Sequence, residues 1–451
     1  MDRLLSDTAR RAVSYLEKLS SRSVAPDAAA LTRIPELREA LPENGMPATD
    51  VIAQLDAIGS PASMAMSGPR FYGFVIGGSL PASLAANWLS TTWDQNVCLH
   101  EVTPLSAVLE QVAADWLLDL LKLPANCASA FVTGATVANF TALAAARHAL
   151  LKRAGWNVEA DGLFGAPEIA VIIGDEAHPS MIKSLGLLGL GRDRVTRVPT
   201  DSRGQIRADQ LPEISGPTLF CTQVGNVNTG GSDPIDAIAD HLEGKNAWIH
   251  VDGAFGLWLR ASKRRAHLVA GLERADSWAT DAHKWLNVPY DSGLAFTKDA
   301  QALRAAMSIS AAYLPVSPAG RDPSDYTPEL SRRGRGTDIW AAIKQLGRSG
   351  VEAMIDRCCD HAERFAAGFK AAGIEVLSEV VMNQVLVSFG DEACNQRVIR
   401  AIQEDGTCWC GITQWQGKSA MRISVSNWAT SEEDVDKSLA AILRLAKEHS
   451  A

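Results

Sequence analysis

ATDAHKWLNVPYDSG, residues 279–293, sets a lysine between a histidine and a tryptophan. The apolar-leaning run ADSWAT leads into it, and a Pro/Asp/Gly turn and a second strand-like run, LAFT, follow. Most lysines are solvated surface residues, and Lys284 taken alone reads as one of them. An ammonium at the junction of two buried-looking strands needs partners elsewhere in the chain.

Upstream, short apolar runs alternate with helical ones. SAFVT meets a glycine and opens into VANFTALAAARHALL, and EIAVIIGDEAHPSMIKSLGLLGL repeats strand, polar turn and helix. PTLFCTQVGNVNTG and AWIHVDGAFG are two further strand-loop units, with the helical PIDAIADHLE between them. This alternation predicts right-handed crossovers and an α/β domain with a mostly parallel sheet. The first sixty or so residues are helix-prone, broken at LPENGMP and GSP. Near the other end, VMNQVLVSFG, the helical NQRVIRAIQE, the hairpin-like TCWCGITQWQGKSAMRISVSN and a last helix read as a small α+β domain. The expected division is a helical segment over 1–65, a large domain over 66–340 and a small one over 341–451. Tyr313–Leu330, rich in Pro and Gly, is long for a connector and reads as a lid or linker.

Bulk properties exclude several classes. With 47% hydrophobic and 21% charged residues, the 451-residue chain has the balance of a globular enzyme. No apolar run is long enough to span a membrane. MDRLLSDTARRAVSYLEKL reads as an amphipathic helix and lacks the apolar core of a signal peptide. A net charge of −9 argues against nucleic acid as a partner. The eight cysteines show no C-x-x-C pair and no zinc spacing, so reduced thiols in the cytoplasm and no metal site are expected.

Thr133–Thr136, His178, Asn226, Asp252 and Lys284 each fall at or just past the C-terminal end of a predicted strand, and ligand sites of open α/β sheets gather at that edge. Singly, each has a plainer reading: a helix cap, a loop histidine, a turn-capping aspartate. Jointly they suit a phosphorylated aromatic aldehyde. TGAT at a helix N-terminus offers amides to a phosphate. Asp252 suits a protonated pyridine nitrogen, His178 a flat ring, and Lys284 the aldehyde carbon.

This set resembles the group II pyridoxal-phosphate-dependent decarboxylases, relatives of aromatic amino acid, glutamate and cysteine sulfinate decarboxylases. The resemblance runs through nearly the whole chain, from GPRFYGFVIGGSLPASLAANWL and EVTPLSAVLEQVAADWLLDLLKLP through FVTGATVANFTAL, DEAHPSMIKSLGLLG and HVDGAFG to DAHKWLNVPYDSG. It implies the fold-type I architecture of pyridoxal-phosphate enzymes and pyridoxal 5′-phosphate as cofactor. It also implies a homodimer with active sites at the interface. By the resemblance Lys284 binds the cofactor covalently, His178 stacks on its ring, Asp252 pairs with the ring nitrogen and Ala254 packs against the ring. Gly134, Ala135 and Thr136 hold the phosphate, His283 lies beside the phosphate and the substrate carboxylate, and Asp281 counts among the cofactor-binding residues. Asn226 lies near the ring hydroxyl or substrate, and Tyr326, in the long connection, stands where a catalytic tyrosine is expected. Val137, Asn226 and Asp281 depart from the family's usual Glu, Thr, and Asn or Ser.

The expected reaction is decarboxylation of an L-amino acid to its amine and carbon dioxide. Phe71, Tyr72, Phe74 and Trp93 fall in segments that line the pocket in relatives and incline the substrate toward a bulky or aromatic amino acid, although aromatic stretches are more often core. The alternatives are carbon–carbon cleavage, an aldehyde synthase, which Tyr326 disfavours, and a catalytically silent paralogue or cofactor-sensing regulator.

Overall fold

A computed structural model of the chain describes residues 1–309 and 321–449. Residues 313–320 of the long connection therefore lie outside the described residues. Contacts divide the chain into two units, one of Met1–Gly78, His361–Leu377 and Val385–Ala451, the other of Ser79–Asp360 and Ser378–Gln384. The N-terminal residues thus share a unit with the C-terminal ones, whereas the reading along the chain set them apart as 1–65, 66–340 and 341–451.

Five helices precede the first strand: α1 (Asp2–Glu17), α2 (Ala28–Thr32), α3 (Ala48–Ala62), α4 (Pro81–Trp93) and α5 (Pro104–Leu120). In the larger unit, β1 (Ala128–Val132) leads into α6 (Ala135–Arg153), and the short α7 (Val158–Asp161) follows. Next come β2 (Ala170–Gly174), α8 (Pro179–Leu187), β3 (Val195–Val198), β4 (Thr218–Gln223), α9 (Ile235–His241) and β5 (Ala247–Asp252). β6 (Ser277–Asp281), β7 (Gly293–Thr297) and α10 (Ala300–Met307) complete the succession, before α11 (Gly336–Ala371), which kinks at Gly347.

The seven strands form one sheet in the order β1-β7-β6-β5-β4-β2-β3. Neighbours from β6 to β3 run parallel, as the alternation of strands and helices predicts. β7 is the exception, antiparallel to both β1 and β6. The reason lies in its connection: residues 282–292 contain no helix, and so short a link returns the chain beside β6 without a crossover. Every residue of β4, β6 and β7 is buried, as expected for strands covered on both faces. α6 presents buried Ala138, Ala142, Ala145 and Ala149 at helical spacing, and these small side chains bring its axis close to the sheet.

In the smaller unit one arginine ties together segments far apart in sequence. Buried Arg70 donates to the carbonyls of Ser20 and Thr407, each at 2.7 Å, and pairs with Asp434 at 3.1 Å. Phe71 stacks on Trp409 with ring centroids 5.0 Å apart, and a Cβ at Gly73 would collide with the same indole. After the two-residue β8 (Glu375–Val376) comes β9 (Gln384–Ser388), and with β10 (Gly411–Trp415) and β11 (Lys418–Ser424) they form a four-stranded sheet. α12 (Glu392–Asp405) and α13 (Glu432–His449) complete the unit. The expected hairpin is the antiparallel β10–β11 pair. Its turn, Gln416 and Gly417, has φ of 46° and 79°, the left-handed pair that a tight two-residue hairpin requires.

Candidate active site

The C-terminal edge of the large sheet gathers most of the expected residues. β1 ends at Val132, and Gly134 is the N-cap of α6, without any capping side chain of its own. A carboxylate from another strand takes that place: Asp281 Oδ1 accepts the Ala135 amide at 2.6 Å. Among the described residues, the Thr136 and Val137 amides have no acceptor, so two donors at the positive end of a nineteen-residue helix stay available to an anion.

Asp281 also reaches the lysine. Its Oδ2 lies 3.2 Å from Lys284 Nζ, and its Oδ1 lies 3.5 Å from His283 Nε2. His283 Nδ1 accepts the Ser292 amide at 3.1 Å, which leaves the ring hydrogen on Nε2, facing Asp281. Burial holds the His283 imidazole below its ordinary value, with Asp281 opposing, so the ring is a neutral donor. The exposed Tyr290 stacks on it, centroids 4.2 Å apart. Gly134 is hemmed in by this cluster: a Cβ there would sit 3.2 Å from His283 Cε1 and 3.4 Å from Asp281 Oδ1. That bare backbone, free amides beside it and a part-buried lysine fit a phosphorylated aldehyde, with the phosphate at α6 and the aldehyde at Lys284.

Asp252 ends β5, as expected, and is almost fully buried. Its carboxylate accepts the Ala254 amide at 3.1 Å and the Asn139 side-chain amide at 2.9 Å. Ala254, between the two aspartates, accepts the Asp281 amide through its carbonyl. His178 is the N-cap of α8: its Nδ1 accepts the Ser180 amide at 3.2 Å and lies 2.7 Å from Ser180 Oγ. It lines one small cleft together with Asp252 and Thr222.

Two further expected residues have partners of their own. Asn226 builds its own loop, since its side-chain oxygen accepts the amides of Asn228 and Thr229, leaving only its NH2 for a ligand. Tyr326 packs against apolar residues of β1 and α6, with the Arg321 guanidinium 4.1 Å from its ring centroid. Of the aromatic residues, Phe71 and Tyr72 are core, whereas Phe74 and Trp93 are exposed. Asn139 and the direct Asp281–Lys284 pair were not singled out from sequence. A lone asparagine inside an alanine-rich helix was the available signal.

Over residues 31–390 the chain matches the pyridoxal-dependent decarboxylase conserved domain. It is 25% identical to an aromatic-L-amino-acid decarboxylase of Bacillus atrophaeus, over 97% of this chain and 94% of that one. It is 29% identical to an acidic amino acid decarboxylase of Bos taurus, over 64% of this chain and 57% of that relative's length. Among solved structures, the Oryza sativa TDC with PLP and tryptamine superposes with a TM-score of 0.91 over 100% of this chain and 98% of that one, at 21% identity. Mouse CSAD superposes with a TM-score of 0.90 over 99% and 98%, at 24% identity.

Proposed function

The chain belongs to the pyridoxal-dependent decarboxylases, and from that membership we propose a bulky or aromatic L-amino acid as its substrate and a site built on Lys284 and Asp252. It is a pyridoxal-phosphate-dependent carboxy-lyase, and the products of its reaction are an amine and carbon dioxide. The observation that carries the site is the pairing of one buried carboxylate with the Lys284 amine at the N-terminus of α6. The aromatic preference is supported by the aromatic-L-amino-acid decarboxylase that aligns along nearly the whole chain.

When bound, pyridoxal 5′-phosphate supplies the electron sink that receives the electron pair of the breaking Cα–carboxylate bond. The chain's own residues do the rest. Lys284 Nζ is the amine that holds the aldehyde carbon, and Asp281 positions it. The Thr136 and Val137 amides hold the phosphate, with the His283 Nε2 hydrogen beside them. Asp252 would pair with the ring nitrogen, and Ala254, with its small side chain, would leave room for the ring. The Asn226 NH2 is left for the ring hydroxyl. The proton returned to the α-carbon sits on His178 Nε2, the ring nitrogen not used by the cap. Tyr326 is the second candidate for that proton, and Tyr326→Phe discriminates between them: loss of amine in favour of aldehyde would assign it to the tyrosine.

The partner reading is a second copy of the same chain. On the larger unit, α4 and α5 with the turn between them expose Trp88, Leu89, Trp93, Val102, Leu105 and Val108, large apolar side chains of the kind that protein interfaces cover. A solution mass of twice the chain's 48.2 kDa is expected. No helix among the described residues is long and apolar enough to cross a membrane. All eight cysteines are free, which supports a reducing cytoplasm.

The test is carbon dioxide release from a panel of L-amino acids with added pyridoxal 5′-phosphate, products identified by mass. Highest kcat/KM for tryptophan, tyrosine or phenylalanine, with amine formed, supports the reading. Preference for glutamate, aspartate or cysteine sulfinate would overturn the aromatic assignment.

A further inference from the structure

Behind Asp252 lies a buried chain of side chains that the proposed chemistry does not itself use. The Trp248 indole Nε1 donates to Ser277 Oγ at 2.8 Å. Ser277 Oγ lies 2.8 Å from His250 Nδ1, and His250 Nε2 lies 2.9 Å from Asn139 Oδ1. Asn139 Nδ2 donates to Asp252 Oδ2 at 2.9 Å. Trp248, Ser277, His250 and Asn139 are all buried, drawn from β5, β6 and α6.

Both ends of this chain have a forced sense. An indole N–H only donates, and an ionised carboxylate only accepts. The Asp252 end sets the sense: Asn139 turns its NH2 to the carboxylate and its Oδ1 to His250, so the ring must donate from Nε2 and accept at Nδ1. The serine hydroxyl, with the indole hydrogen on one lone pair, turns its own hydrogen to that Nδ1. Run the other way, the chain would set Asn139 Oδ1 against Asp252 Oδ2 at 2.9 Å, two acceptors with no proton between them unless Asp252 carried one. Burial presses the His250 pKa down to about 4, so the imidazole stays neutral and the chain keeps its sense through the neutral range. Simple satisfaction of buried polar groups does not require one sense along four bonds; a carboxylate that must stay an acceptor does.

We propose that Asn139, His250 and Ser277 are positioning residues that act through Asp252, a one-way hydrogen-bond chain that keeps its carboxylate an acceptor aimed at the cofactor's ring nitrogen. The inference rests on the reading of Asp252 as the partner of that nitrogen. Removing a link frees the Asn139 amide to turn its oxygen toward Asp252. The carboxylate then competes for a proton that belongs on the ring.

The test uses the holoenzyme loaded with pyridoxal 5′-phosphate carrying 15N in the ring, and reads the chemical shift of that nitrogen. The wild type should show a protonated nitrogen. His250→Leu and Asn139→Leu should move the shift toward the unprotonated value and lower kcat roughly ten- to a hundredfold, the weight of one charge-assisted hydrogen bond, with KM little changed. His250→Gln retains a donor toward Asn139 and should keep the wild-type shift. Should the leucine variants fail to accumulate, Ser277→Ala, which removes one oxygen, decides: a shift in the same direction supports the chain. Asp252→Asn separates the two readings. If it moves the shift while the His250, Asn139 and Ser277 variants do not, the chain is only structural. If Asp252→Asn leaves the shift unmoved, the carboxylate is not the nitrogen's partner and both readings fall.

Discussion

Lys284 Nζ lies 3.2 Å from Asp281 Oδ2, and the other oxygen of the same carboxylate caps α6, the helix at whose N-terminus we propose the phosphate. One aspartate thus serves the amine and the anion site together. Its negative charge opposes a phosphate bound there. At about 5 Å and an effective dielectric near 20, two unit charges interact by roughly 3 kcal/mol, enough to be measured after partial screening.

Asp281→Asn should therefore bind pyridoxal 5′-phosphate more tightly, by about tenfold, a part of that Coulomb energy. The amide oxygen of asparagine can still accept the Ala135 N–H, so the cap survives. The dissociation constant from titration of the cofactor-free protein is the measurement. Unchanged or weaker binding would show that the carboxylate does not face the phosphate.

Gly293→Ala should damage the same site through the backbone. A Cβ at Gly293 would run into the main chain of Gly134, where β7 passes the turn from β1 into α6. Neither strand can move freely, since β7 is bonded on both sides. We expect cofactor affinity to fall at least tenfold and the thermal midpoint to drop, as overpacking of about 1–3 kcal/mol demands. Wild-type affinity in this variant would mean that the approach of the two glycines is immaterial.

His250 gives a pH signature. Its imidazole titrates near 6.5 when unfolded and near 4 in the folded chain because of burial, so between those values the unfolded state binds the extra proton. The stability it contributes is full above about pH 6.5 and is lost as pH falls toward 4. Between pH 7.5 and pH 5 the loss is about 2 kcal/mol. Urea unfolding of the wild type should weaken by that much more on acidification than unfolding of His250→Gln. Equal acid sensitivity in the two proteins would contradict a buried neutral imidazole.

The alternation of strands and helices was legible because each element carries its own period, and the edge where ligands gather follows from strand ends alone. Lys284, Asp252 and His178 could be placed at that edge without coordinates. The antiparallel β7 could not, since the lack of a helix in 282–292 looks like any other turn until pairing is known. Asn139 and His250 are hidden for a different reason: they meet across 111 positions of sequence, and their largely buried, apolar surroundings give no hint of a polar contact. Asn226 shows the converse. Its position at a strand end suggests a ligand contact, and the structure adds what that position alone does not show, that short-range Asx bonding takes its oxygen and leaves its NH2.

The most direct measurement is borohydride reduction of the protein loaded with pyridoxal 5′-phosphate, followed by peptide mapping. A stable adduct on the peptide that contains Lys284, and its loss in Lys284→Ala, is the predicted result. An adduct on any other lysine, or undiminished labelling of Lys284→Ala, would contradict the assignment of the site.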